Sequence, residues 1–332
     1  MRRACIKAAL IYVIATMLAI GHSSAEAFNY NRSSIQGLAG SYGFVKGQKR
    51  TLLRIAREHR DLDLAVKLAR MRFSSAFPNI EARLRVHLKE AFGEHFAEFE
   101  RIQNRQMAEL LDGQAISRDS AVGFIEMVAE RAKGEIESPI LEHLLAVTYE
   151  ERPHNEMIDG FVQRYETDGK DKSKGIRLQV RIPRSWLQQE GERPNIVQKW
   201  TSVNGSGLED IMLGMRDIGE EEELDLTQLE EYVRSGEVRA IAEGGEFIDA
   251  GVIIIEGRPG FWLDHSMQRK RMDTEMYIRQ RMYHITFRGK AIQVACQAVD
   301  TAKHADQADQ RAERIWPLCD QVANSIMLVD AY

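Results

Sequence analysis

The residues best equipped for chemistry are histidines and carboxylates close together in one stretch: His87-x-x-Glu90, then Glu94, then His95-x-x-Glu98. A di-metal bundle needs inward Glu-x-x-His motifs on two helices and a further Glu from each of two others. Here the order is reversed and one predicted helix carries the whole set, so it reads as a charged, solvated face. Asn204-Gly-Ser206-Gly lacks the Gly-x-Ser-x-Gly spacing of an exposed nucleophile and reads as a turn. Neither a Walker-type phosphate loop nor a dinucleotide fingerprint is present. Glycosidase-type carboxylate pairs need only spatial proximity, which spacing does not report. The sequence therefore assigns no catalytic residue, cofactor or metal.

Two cysteines lie in the second half. Cys296 shares a strand face with Ile292, Val294 and Ala298, and Cys319 shares a helix stripe with Ile315, Trp316 and Val322. Thiols on facing buried surfaces can bridge, so a Cys296–Cys319 disulfide is expected, with two buried free thiols as the other reading. Without Cys-x-x-Cys, redox catalysis is not expected. Trp186, Trp200, Trp262 and Trp316 also lie in this half and read as core plugs, with carbohydrate stacking as the alternative.

Charge is unevenly distributed. Nine basic residues and three acidic ones fall between Lys46 and Arg72, whereas Glu220 to Glu223 form an acidic run. Lys46, Arg50, Arg54 and Arg57 are candidate contacts for a partner, as are Arg269, Lys270 and Arg271, which read as a loop between strands. The partner would be another envelope protein or, peripherally, an anionic membrane surface; a solvated or intramolecular face is the alternative. With 45 Lys and Arg against 50 Asp and Glu, nucleic acid is not an expected partner.

The elements that position these residues change character along the 332-residue chain. Residues 1–27 carry Arg2, Arg3 and Lys7, an apolar run from Ala8 to Ile20 and Ala25-Glu26-Ala27, the pattern of a signal peptide cleaved near Ala27. The apolar run is too short for a spanning helix, so a periplasmic or secreted chain is expected. Residues 28–152 show helical spacing: one helix over Thr51 to Arg72, a long one carrying Leu84, Leu88, Phe92, Phe96, Phe99, Ile102 and Leu110, a third over Asp119 to Lys133, and a fourth opened by Ser138-Pro139. Residues 153–332 show alternation instead, beginning with Ile176, Leu178, Val180 and Ile182, and Arg288-Gly289 marks a hairpin. Phe161 to Thr167 can pair with that first strand across a loop at 168–175. Thr227-x-x-Glu230 reads as a capping box opening a helix to Ala242, and another helix fills Asp306 to Leu328. The fold class is α+β: a small helical bundle followed by an α/β/α sandwich with a mainly antiparallel sheet.

The segments Gly175 to Trp186, with its strand ending in Pro183-x-x-Trp186, and Glu190 to Val197, with the closing helix that carries Trp316, resemble the PsbP-like superfamily, including bacterial envelope proteins of the DcrB type. The resemblance covers the second half only. It implies a protein-binding accessory sandwich and supplies no catalytic residues. The expectation is an exported, non-enzymatic envelope protein that binds another protein. The rival is a small-ligand or metal-dependent envelope enzyme with a site between the two domains. Oligomeric state is not legible.

Overall fold

The computed structural model describes residues 29–111, 115–219, 223–242 and 244–332. The signal-peptide segment and Glu220 to Glu222 of the acidic run lie outside the described residues. Among those described, no helix is long and apolar enough to cross a membrane. The chain is α+β and divides into two compact units, one ending at Thr148 and one covering Tyr149–Tyr332.

In the first unit, α1 (Arg32–Glu58) is capped by the Asn31 side chain, which accepts from the Ser34 N–H at 3.0 Å. Around α1 pack α2 (Asp63–Ala76), α3 (Ile80–Phe92), α4 (Phe96–Leu111), α5 (Arg118–Arg131) and α6 (Ile140–Thr148). Leu38, Leu52, Ile55, Leu84, Leu88, Leu144 and Leu145 are buried between them. At Gly37 of α1, an added Cβ would stand 1.8 Å from His143 Nε2, so a hydrogen there is what admits the α6 imidazole.

Three helix boundaries differ from the sequence pattern. The helix expected over Thr51 to Arg72 is broken at His59, which leaves the helical region at φ −126°, ψ 81° while a ring nitrogen meets the Ile116 carbonyl at 2.8 Å. The long stripe from Leu84 to Leu110 is broken at Gly93, whose φ of 51° favours glycine. A single 3-10 turn follows, and Phe92 and Phe99 still stack at 4.5 Å, so the apolar stripe survives the break that its periodicity concealed. Pro139 stands before α6 rather than in its first turn, accepting from the His143 N–H at 3.3 Å.

The second unit starts with α7 (His154–Ile158) and β1 (Val162–Glu166). β1 pairs antiparallel with β2 (Leu178–Pro183), which also pairs with β10 (Met327–Leu328). The intervening loop is the expected one. Thr167 ties it shut by donating to the Ile176 carbonyl and accepting from the Leu178 N–H. A seven-stranded antiparallel sheet follows: β3 (Leu187–Glu190), β4 (Ile196–Thr201), β5 (Glu209–Asp217), β6 (Gly245–Ile255), β7 (Arg258–Arg271), β8 (Thr274–Phe287) and β9 (Lys290–Thr301), in the order 3-4-5-9-8-7-6. β8 and β9 are joined at Arg288-Gly289, both with positive φ as a tight hairpin requires.

Alternation sends side chains to two helical covers. Tyr283, Ile285, Val294, Cys296 and Ala298 meet α9 (Ala305–Asn324), and Phe261, Leu263, Met282 and Ala295 meet Leu229 of α8 (Leu226–Ser235) and Val238 of the 3-10 turn after it. The capping box of α8 lies two residues before the expected one. Asp225 accepts from the Gln228 N–H and Gln228 returns the bond, so Asp, not Thr227, makes the cap.

Candidate functional site

Cys296 of β9 and Cys319 of α9 are joined as a disulfide with Cα atoms 6.2 Å apart, both fully buried. The bond clips the covering helix to the central sheet. Closing a loop across 23 residues restricts the unfolded chain by about 3 kcal/mol on the chain-entropy account. The double variant Cys296→Ala/Cys319→Ala is accordingly expected to lose about 3 kcal/mol in urea titration. A loss well under about 1 kcal/mol would show that the crosslink does not restrict the unfolded ensemble in this way.

On the same face, Asp264 of β7 receives Arg279 and Arg281 of β8 at 2.9 and 3.2 Å. The Arg281 guanidinium lies between two indoles, 4.7 Å from the Trp262 ring and 4.9 Å from the Trp316 ring. Asp264 is 2% exposed and its Oδ1 has no hydrogen-bond partner. Burial pushes its carboxyl above the usual carboxylate range, and the two arginines pull the other way. Beside them, Tyr283 donates to Asp320 and Tyr277 to Asp309, both on α9. A strained acid in a cleft would suggest proton chemistry, but this one is sealed beneath the helix and neutralised by its neighbours. What the cluster does is fix α9 on the sheet. Arg279 and Arg281 share strand parity with apolar Tyr283 and Ile285, and that inward placement of charge is the one signal from which the sequence reveals them.

Trp186, Trp200 and Trp316 are buried, and Trp262 is half-buried against Arg281. The histidine and carboxylate set does not form one solvated face. His87 is buried beside the Tyr30 hydroxyl at 3.0 Å, Tyr30 also donates to Glu90, Glu94 and His95 sit on the 3-10 turn, and Glu98 pairs with Arg101 on α4. Among the described residues no three His, Cys, Asp or Glu side chains assemble a metal site.

The basic residues separate into two places. On α1, Lys46 turns inward, donating to Asn104 at 2.8 Å over the Tyr42 ring, and burial lowers its ammonium pKa. Arg54 pairs with Glu58 at 2.6 Å, Arg50 is half-buried, and Arg57 is exposed. Arg269, Lys270 and Arg271 are not in a loop. They finish β7, opposite Met276, Glu275 and Thr274, and the turn is Met272-Asp273. Their polar run hides a strand because this tip is exposed on both faces, which removes the alternation.

The sheet edges are unequal. β3 is four residues long and exposed throughout, whereas β6 is eleven residues long and has a neighbour only in β7. Long edges are normally blunted by charge, proline or a bulge. In β6 a register shift falls between Phe247 and Asp249, and Asp249 and Glu246 supply charge, but all of this lies in its first half. From Ala250 to Ile255 the strand reads Ala-Gly-Val-Ile-Ile-Ile, with Ile254 57% exposed.

Comparison with protein-family models gives no match, and comparison with curated proteins gives none. Among solved structures, the chain is similar to cyanobacterial PsbP from Synechocystis, at 16% identity over 50% of this chain and 92% of that one, TM-score 0.33. It is similar to the Ran-binding protein Mog1p of Saccharomyces cerevisiae, at 11% identity over 51% and 96%, TM-score 0.34. It is also similar to LpqN of Mycobacterium tuberculosis, involved in cell envelope biogenesis, at 12% identity over 53% and 96%, TM-score 0.31.

Proposed function

We propose that this chain is an exported, non-enzymatic envelope protein of the DcrB type, whose sheet accepts an extended segment of a partner protein along β6. The observation that carries the reading is the uncharged half of that edge, Ala250–Ile255, where main-chain groups on the outer side have no strand beside them among the described residues. An added strand takes its affinity from such groups and its specificity from alternate side chains. Exposed Ile254 would supply an apolar contact, and exposed Glu246 and Asp249 favour a segment with a basic end. Export is supported by the leader pattern in residues 1–27 and by the disulfide, a bond that persists in oxidising compartments.

The test places a photo-crosslinker at Ile254 in the native envelope and identifies the captured peptide by mass spectrometry. The expected product joins Ile254 to one defined extended segment, slows amide exchange in β6 when that segment is added, and disappears in Ile254→Lys. Capture unaffected by Ile254→Lys, or occurring instead through Arg57 or Arg269–Arg271, would overturn the edge reading. Crosslinks from Ile254 to a second copy of the chain would replace the partner by self-association.

A further inference from the structure

The helical unit holds a cavity of about 540 Å³ between α1, α2 and the start of α3. Protein interiors contain few voids larger than a water molecule, so a space of this size is not a packing defect, and it falls within the range of small-molecule sites. Its floor is apolar and well packed: Val45, Leu52, Phe73, Phe77 and Ile80 are all buried. Its remaining lining is polar, and the bonding of those groups decides what would fit.

Lys49 is neutralised by Glu81 at 2.6 Å. Arg85 is held by Glu100 through two bonds of 3.2 Å. Arg70 has no ion-pair partner among the described residues, so the lining keeps one uncompensated positive charge. Gln48 is 5% exposed; its Oε1 accepts from Arg131 at 2.9 Å, while its amide nitrogen has no acceptor among the described residues. A donor buried that deeply normally has a partner. The thirteen-residue helix α3 begins at the same cavity, and Asn79 before it makes no side-chain cap, so the Glu81 and Ala82 N–H groups present the positive end of the helix.

We infer that this cavity binds an anionic amphiphile, with its acidic head between Arg70, Gln48 and the start of α3 and its apolar tail on Leu52, Phe73 and Phe77. A bare anion would leave the floor unfilled, and a neutral apolar molecule would leave the Gln48 donor and the Arg70 charge without partners. The site is independent of the β6 edge: it lies wholly within residues 45–85.

The experiment measures binding to the whole chain by calorimetry and native mass spectrometry, below micelle-forming concentrations. The probes are dodecanoate, dodecyl phosphate, inorganic phosphate and dodecyl maltoside. Dodecanoate or dodecyl phosphate is expected to bind one per chain, at least tenfold tighter than either inorganic phosphate or the maltoside. Arg70→Glu should weaken it tenfold or more, and Ser74→Trp, placed in the lining, should abolish it. Both positions are exposed, so circular dichroism should be unchanged. Equal binding of the maltoside, undiminished binding to both variants, or no binding of either acidic probe would each overturn the inference. Binding of inorganic phosphate as tight as dodecyl phosphate would leave an anion site without a tail and overturn it equally.

Discussion

Asp264→Ala is expected to destabilise the sandwich by about 3–5 kcal/mol, the usual consequence of removing one partner from a buried ion pair. The side chains of Asp264, Arg279 and Arg281 are 3%, 11% and 18% exposed, so solvent screens little of the charge left behind. Without the carboxylate, two guanidinium groups face each other's field beneath α9. Urea titration at pH 7.5 followed by tryptophan fluorescence reads the effect directly, because Trp262 and Trp316 flank Arg281. The triple variant Asp264→Leu/Arg279→Met/Arg281→Met should recover most of the loss, since replacing the whole cluster leaves no charge uncompensated. If Asp264→Ala loses under about 1 kcal/mol, the cluster is wetter than its burial indicates and does not hold the helix in place.

The second large effect is acid destabilisation of both units. Burial lowers His143 of α6 to about 4, and burial with the nearby Arg216 charge lowers His284 of β8 to about 4. Each ring stays neutral in the folded chain while the unfolded chain protonates near pH 6.5. Below that value the unfolded state holds more protons, so stability is complete above pH 6.5 and declines as pH falls towards 4. The loss approaches about 3 kcal/mol per histidine at pH 4. The two can be read separately, because every tryptophan lies in the second unit. Tryptophan fluorescence should follow His284, stacked on Phe261 at 4.8 Å, and the fluorescence-silent helical transition seen by circular dichroism should follow His143. His143→Leu should flatten the second transition between pH 6.5 and 4 and leave the first unchanged. An unflattened profile would assign the acid sensitivity to other groups.

How much of this was legible depends on which interactions are local. Alternation at Leu178, Val180 and Ile182 marks a strand because the pleat alone sets it, and Arg288-Gly289 marks a hairpin because the turn needs positive φ. The cysteines were readable as a pair because each lies on a locally determined buried face. The breaks at His59 and Gly93 were missed because the apolar stripe continues through them, and periodicity reports the stripe, not the chain's path along it. The candidate sites were less legible. The basic run from Lys46 to Arg72 drew attention to the right helices, yet the cavity lining uses Lys49 and Arg70, whereas Lys46 and Arg54 are engaged within the unit. Which cation remains unpaired depends on Glu81, Glu58 and Glu100, and those pairings are tertiary or depend on rotamer. In the same way, Ala250–Ile255 reads as a strand in any position; only strand order makes it an edge.

The strand order also has a kinetic reading. β6 to β9 are successive hairpins, each closed by a short turn, and β3, β4 and β5 form a second local meander. The seam between them, from Asp217 opposite Lys290 to Glu209 opposite Ala298, spans everything in between and incurs its loop-closure entropy before any contact offsets it. Two sheet fragments can therefore zip early, and the β5–β9 junction is the slow, rate-setting closure. The face that receives α9 is continuous only after that junction has formed.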